Sequence, residues 1–438
     1  MCAGCAVGPR EFLGGFRLRY RPAVRAAAVL SLFWFACFGA LGVFFPLYSL
    51  YLAENLGLSG SEVGLVLAML PLTGMFVQPL WGMLADRTGS RARILALLSA
   101  GSAAGYASLT GYQSFGGVLA GTAALALFST SVLPMAVSVA LAVLRNLGPH
   151  AFGVARSFGT LGYLIAVVGF PPLLHLVSPA AGPQGQSSTG PSEPGLGMML
   201  WVTAAAMAAA ALVALVLPRT GAVALRAEKG DWRRLSHNRP YRRLVVVVFL
   251  TYVFLQGPLA LFPMFVRSLG GGLDVVSRMW LCMLVFEIPL LAIAGGRPLR
   301  LDARGLLGIG IGADALRWLV CALSPSIAAM YAVQVLHGVA VAGFVVGSAL
   351  YVEAVVPGRL RSTGQSVVYM IGVSLGGIVS TLAAGLLLDH FGPRSPALCG
   401  GIGAALLAAA LPRLLPRVEF PRSRGTDVPV QSLALPVP

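Results

Sequence analysis

The chain has 438 residues, of which 57% are hydrophobic and only 11% charged, and its mean hydropathy is +0.83. Soluble domains carry about 25% charged residues, so a water-soluble enzyme, a nucleic-acid-binding protein and a disordered chain are all excluded. The formal net charge of +16 needs another explanation, and the placement of the basic residues supplies it.

Twelve apolar runs are long enough to cross a bilayer, which takes roughly 20 helical residues. They fall at 26–52, 61–84, 93–111, 115–144, 153–177, 198–217, 244–266, 277–296, 305–323, 327–355, 364–388 and 395–411. Five arginines precede the first run and no small-residue cleavage site follows a short one, so it reads as a span and not as a secretory signal. With the amino terminus in the cytoplasm, 26 of the 31 Lys and Arg lie on the cytoplasmic side. Only Arg267, Arg278 and Arg394 lie outside, while Arg156 and Arg317 fall within spans. This is the positive-inside pattern for twelve spans with both termini inside. The arginines then face anionic lipid headgroups, and no nucleic-acid partner is needed.

The predicted architecture is an all-α integral protein of the plasma (inner) membrane, with two six-helix bundles at 26–217 and 244–411. Residues 1–25 and 412–438 form cytoplasmic tails. A basic cytoplasmic linker, 218–243, joins the bundles; its run Arg226–Arg243 is expected to lie on the membrane surface. Pro179–Gly197, rich in Gly, Pro and Ser, is expected as a loose outer loop. Two such bundles suggest a secondary transporter built on repeats. Of six cysteines, Cys37, Cys282, Cys321 and Cys399 sit in apolar runs and read as packing. Cys2 and Cys5 have no second pair or neighbouring histidine, so neither a disulfide framework nor a metal site is expected.

The most specific motif is Gly82-Met-Leu-Ala-Asp86-Arg87-Thr-Gly89-Ser-Arg91-Ala-Arg93, at the cytoplasmic end of the second span. Its glycines permit a tight turn, Asp86 can face the positive end of a neighbouring helix, and its arginines can pair with carboxylates or lipid phosphates. The motif resembles the G-x-x-x-D-R-x-G-x-R-R signature of the major facilitator superfamily, in the loop where that family carries it. Gly42-Val-Phe-Phe45-Pro46, Gln78-Pro79-Leu80-Trp81-Gly82 and Phe152-Gly153-Val-Ala-Arg156-Ser-Phe-Gly159-Thr-Leu-Gly162-Tyr163 are similar to the oligosaccharide:proton symporter (lactose permease-like) branch. The related nucleoside and phenylpropionate permease-like families share much of this. Leu336-His337, Arg317 and Glu287 extend the likeness into the second half.

Ionisable groups inside a membrane are costly and mark function by default. Glu287 falls near the midplane, with Arg317 and His337 at similar depth on the next two spans. A carboxylate, a guanidinium and an imidazole together make a proton-coupling set, in which protonating Glu287 releases Arg317. Asp314, three residues before Arg317 on the same helix face, is the rival partner that would neutralise it locally. The resemblance implies that Arg156 binds substrate and that Tyr163 offers it a ring, whereas two turns from the cytoplasm Arg156 also fits a snorkelling residue. Tyr48, Tyr252, Gln256, Gln334 and Tyr369 are further polar candidates, each also readable as packing. The chain departs from lactose permease-like proteins in having Ser138 where a sugar-binding glutamate stands, Tyr163 in place of Trp, and Ala340 one turn after the histidine.

No Walker loop, H-E-x-x-H or nucleophile elbow occurs, and the Gly308-Ile-Gly-Ile-Gly312 run reads as a helix-packing seam. The resulting expectation is a monomeric, cofactor-free transporter. It would be driven by the proton gradient and take up a sugar, nucleoside or aromatic acid by alternating access. A proton-driven exporter is the first alternative and a membrane scaffold the second. By the same resemblance, Asp86 is expected to meet the start of the eleventh span, capped near Ser362 or Thr363, when the inner side closes.

Overall fold

The computed structural model describes residues 9–144, 147, 150–177, 193–218, 235–296 and 302–418. Cys2 and Cys5, residues 178–192 of the expected outer loop, residues 219–234 of the expected linker, residues 297–301 and those beyond 418 lie outside the described residues. Twelve helical rods follow one another. They are α1 (Pro9–Glu54), α2 (Gly60–Thr88), α3 (Arg91–Leu109), α4 (Phe115–Leu144), α5 (His150–Val177) and α6 (Met198–Leu215). The second six are α7 (Arg239–Ala260, continued by Phe262–Ser268), α8 (Leu273–Gly296), α9 (Ala303–Leu323), α10 (Ile327–Val333 and Val335–Val355), α11 (Arg361–Phe391) and α12 (Ser395–Leu414). Hydrocarbon offers no partner for a free N–H or C=O, so helices that satisfy their own backbone are the form such runs must take. Ten of the rods meet a length-and-hydropathy standard for crossing a membrane. The other two are α3, rich in Ser, Gly and Ala, and α8, which carries Asp274, Arg278 and Glu287.

Side chains set the helix ends. Ser59 and Glu62 close a reciprocal capping box on α2, Asp302 caps α9 through the Gly305 N–H at 2.8 Å, and Asn238 caps α7. Several boundaries differ from expectation. Helix α1 begins at Pro9, within the expected tail, and α7 takes up Arg239, Arg242 and Arg243 from the expected linker. Helix α2 runs on to Thr88, so Gly82 is a helix-interior residue; the turn is made by Gly89 alone, at φ 63°, its N–H bonded to the Ala85 carbonyl. Helix α11 starts at Arg361 after a 3₁₀ turn, with Leu360 in the cap position and no side-chain cap bond.

Within the first half α1 packs on α5 and α6, and α3 on α4 and α6; within the second, α7 packs on α11 and α12, and α9 on α10 and α12. The halves meet where α2 lies along α11 and α5 along α8. Prolines break the ladders at defined places, and neighbouring helices repair them. Pro134 leaves the Thr130 carbonyl without its donor, and Gln78 supplies one at 3.0 Å. Next to Pro258, the Ser380 hydroxyl of α11 enters the α7 ladder, donating to the Val253 carbonyl and accepting from the Gly257 N–H, both at 2.6 Å. Helix α11 widens to a π-helix over Val368–Leu375.

Helices in lipid gain nothing by hiding apolar surface from one another, so close packing of small residues holds them. A Cβ at Gly310 would meet the Ala340 carbonyl at 2.9 Å and one at Gly343 the Leu306 carbonyl at 2.7 Å. The α9–α10 seam expected around Gly308–Gly312 thus centres on Gly310. A Cβ at Gly162 would drive into the Phe35 carbonyl, whereas Gly169, two turns further along α5, has open space. Gly162→Ala should therefore destabilise the protein by about 1–3 kcal/mol, as overpacking does, and Gly169→Ala should not. Thermal unfolding of the two detergent-solubilised variants checks this; equal melting temperatures would mean α1 and α5 can separate freely there.

Candidate substrate and proton-coupling site

The second half holds a connected chain of buried polar groups. Arg317 on α9 and Gln334 on α10 are fully buried, and Asp314, Glu287 and His337 nearly so. Arg317 sits 3.8 Å from Asp314 one turn before it, its Nε donates to Gln334 Oε1 at 3.1 Å, and its Nη1 lies 3.2 Å from His337 Nδ1. A guanidinium can only donate, so Nδ1 must be the acceptor and Nε2 carries the hydrogen. That Nε2 faces Glu287 Oε2 at 3.7 Å. The series Asp314–Arg317–His337–Glu287 thus runs from α9 through α10 to α8, joined by a hydrogen-bond contact of 3.2 Å at its middle and by ion-pair distances of 3.8 and 3.7 Å at its ends. Trp318, at 4.2 Å, and Phe262, at 5.9 Å, lie against the guanidinium.

Close packing makes this possible. A Cβ at Gly338 would meet the Glu287 backbone N at 2.8 Å, so α8 and α10 touch backbone to backbone beside His337. The three residues expected as a coupling set and Asp314, the rival partner, are thus brought together, but Arg317 is met by Asp314 and His337, and Glu287 reaches it only by way of His337. Gln334, expected among the substrate ligands, belongs to the arginine's cage: its carbonyl takes Arg317 and its amide donates to the Met330 carbonyl at 2.8 Å.

Across the interface, on α5, Arg156 and Glu287 act electrostatically on one another, and Glu287 also acts on Tyr163. The Arg156 guanidinium lies 3.7 Å over the Phe38 ring and 5.2 Å from the centre of Trp34, both on α1. Sequence reasoning missed these two aromatics, since nothing in an apolar run shows which of its rings faces a charge. Tyr163 is buried, with its backbone against Gly42. Tyr48 is buried inside the first half, its hydroxyl 2.6 Å from Thr122 and its ring stacked on Phe44. Tyr252 packs edge-on to Phe344 and is electrostatically coupled to Tyr369, and Gln256 lies against Gly377, so these three group at the α7–α11 contact.

At the inner end Asp86 bonds Arg91 of its own motif at 2.7 Å. A recess of about 210 Å³ there is lined by Gln78, Trp81, Asp86, Arg91, Ser131 and Ser138 among others. Gly82, Arg87 and Arg93 complete the motif on α2 and the start of α3. The charged and polar contacts across the halves are instead at the opposite end. Asp389 of α11 accepts from the backbone N–H groups of Gly60 and Ser61, at the start of α2, at 2.6 and 2.7 Å. Arg267, ending α7, clasps Glu54, ending α1, with bonds of 2.9 and 3.2 Å, and Glu193 at 3.4 Å. The halves are joined at this end, the outer one in the orientation expected from the basic residues.

Twelve membrane helices in two groups of six, with buried charge where the groups meet, define a secondary-transporter architecture. The family model for the "MFS_1 like family" matches residues 27–396. The chain is 29% identical over 368 residues to the maltose permease of Geobacillus stearothermophilus, covering 83% of this chain and 88% of that one. It is 24% identical over 392 residues to the sucrose permease of Escherichia coli, covering 83% and 87%. Among solved structures, the nucleoside transporter NupG superposes with a TM-score of 0.73 at 18% identity, covering 89% of this chain and 98% of that one. The xylose transporter XylE from E. coli gives 0.63 at 14%, covering 94% and 99%. The chain belongs to the MFS_1-like family of the major facilitator superfamily and is a multi-pass membrane transport protein, not an enzyme.

Proposed function

We propose that the chain takes up a small polar solute, of the sugar or nucleoside kind, together with protons. The observation that carries this reading is the buried Asp314–Arg317–His337–Glu287 chain with Arg156 facing it from the other half. A buried arginine keeps its charge and requires a counter-ion. Asp314, on the same helix, serves as the permanent one, which leaves Glu287 free to gain and lose a proton as the cavity changes sides. Arg156 and Glu287 belong to opposite halves, so solute held between them and proton held on Glu287 both bear on how the halves sit. The relatives named for maltose and sucrose transport favour a sugar. In this reading the proton gradient is the sole energy source, both termini are cytoplasmic, the basic inner surface rests on anionic lipid, and one chain suffices.

Purified protein in proteoliposomes with an alkaline interior should accumulate radiolabelled maltose, sucrose or uridine above equilibrium, and a protonophore should collapse that accumulation. Accumulation indifferent to the protonophore would remove the proton as driver, and proton-driven expulsion would make the protein an exporter. Arg156→Lys should raise KM for the transported solute about tenfold, because lysine loses the planar pair of parallel donors. An unchanged KM would mean that Arg156 does not hold the solute.

A further inference from the structure

Arg156 is a cation at membrane depth, yet no described residue gives it a hydrogen bond or an ion pair. Glu287 acts on it from beyond ion-pairing distance. An intramembrane arginine ordinarily takes a carboxylate or a carbonyl. This one has ring faces: Phe38 at 3.7 Å and Trp34 at 5.2 Å. A ring face holds a guanidinium through its quadrupole and consumes none of the five N–H groups, which all lie in the guanidinium plane. The seat is built in depth. Trp34 is 1% exposed, packs at 5.7 Å on Phe38 and meets Phe152 edge-on at 6.4 Å. Gly159 admits it, since a Cβ there would come within 3.0 Å of Arg156 Nη1 and 3.1 Å of the Phe38 ring.

We propose that Phe38, backed by Trp34 and admitted by Gly159, is a positioning residue that holds Arg156 with its in-plane donors unspent, selecting ligands that present two coplanar oxygens. Two parallel N–H bonds from a guanidinium edge match such a pair, and a vicinal diol and a carboxylate both offer it. A carboxylate seat would have occupied those donors before any ligand arrived, whereas an aromatic seat leaves them free while fixing the plane. The ligand half of this proposal rests on the transport reading; the seat does not.

The seat is tested without substrate, on the full chain in proteoliposomes, by phenylglyoxal modification of Arg156 followed peptide by peptide in a mass spectrometer. Phe38→Leu should raise the rate at Arg156 at least about threefold, as a released guanidinium becomes more accessible, and Phe38→Tyr, which keeps a ring face, should restore the wild-type rate. A wild-type rate in Phe38→Leu overturns the seat. The ligand half is tested with maltose, which has diols and no carboxylate, and 3-phenylpropionate, which has a carboxylate and no diol. For whichever is carried, Phe38→Leu should raise KM about tenfold with little change in kcat, again rescued by Phe38→Tyr. An unchanged KM overturns the selection role. If the wild-type protein carries neither probe, the assigned ligand chemistry is wrong, and the modification rates still decide the seat.

Discussion

Glu287→Gln should abolish accumulation of solute against its gradient while leaving solute exchange in place. Glutamine has the same size and can face His337 Nε2, which lies 3.7 Å from the carboxylate, but it cannot change its charge. In the wild type the protonated and deprotonated forms of Glu287 present opposite demands to their surroundings. Deprotonated, it offers a charge to Arg156 across the halves; protonated, it releases that attraction. The two lie beyond ion-pairing distance, so their attraction is only a part of the roughly 4 kcal/mol that unit charges about 4 Å apart have at an effective dielectric of about 20. Even a fraction of that is enough to bias two conformations, since 1.4 kcal/mol shifts a ratio tenfold. The variant is locked in one charge state, so the two conformations exchange with solute bound but without reference to pH. The measurement pairs pH-driven uptake with solute counterflow in the same proteoliposomes. Gradient-driven accumulation by Glu287→Gln at the wild-type level would remove Glu287 from the coupling path and leave Asp314 as the remaining buried acid of the chain.

The sequence made the spans legible because chain length in hydrocarbon is set by bilayer thickness, a property that composition alone reveals. It also made the buried polar cluster legible: Glu287, Asp314, Arg317 and His337 are conspicuous because charge is so scarce around them, and the helices that carry them are consecutive. What composition could not show was which face of an apolar helix meets protein and which meets lipid, because both surroundings are equally apolar. Phe38 and Trp34 were therefore invisible as partners of Arg156, and Tyr48 and Gln334 could not be told from residues facing a cavity. Backbone irregularities were hidden for a similar reason. The Ser380 bridge into α7 satisfies a carbonyl 127 residues away, at Val253, and the π-helical stretch Val368–Leu375 leaves no mark in the pattern of apolar residues. In the motif at 82–93, Gly89 makes the turn three residues after Asp86, while Gly82 lies inside the helix. The mirror arrangement at the outer end was missed: Asp389 belongs to no motif, and its partners are 329 and 328 residues distant.

That outer end should respond strongly to a single substitution. Arg267→Ala removes a guanidinium whose side chain is only 6% exposed and which joins Glu54 at 2.9 Å and Glu193 at 3.4 Å. Without it, two carboxylates that the arginine drew together are left facing one another, in the conformation where the outer ends of α1 and α7 touch. Breaking a buried pair costs roughly 3–5 kcal/mol. The carboxylates keep 18% and 19% of their exposure, so the lower figure applies, and about 3 kcal/mol moves the ratio of outside-open to outside-closed protein by about a hundredfold. Asp389→Asn should act in the same direction more weakly. It leaves one acceptor for the Gly60 or Ser61 N–H but loses the charge at the helix start, a contribution of about 0.3–1 kcal/mol at an exposed site. Both effects are read from the distance between spin labels at Leu58 and Ser268, in a chain whose native cysteines have been replaced. Arg267→Ala should lengthen that distance in most molecules, and Asp389→Asn in a minority. Exchanging the charges, with Glu54→Arg and Arg267→Glu together, should recover part of the short distance, which a merely unfolded variant would not do. If Arg267→Ala leaves the distance distribution as in the wild type, the clasp is a passive surface contact, and closure of the outer side rests on the backbone packing of α2 against α11, where Gly64 and Gly385 leave no room for a side chain.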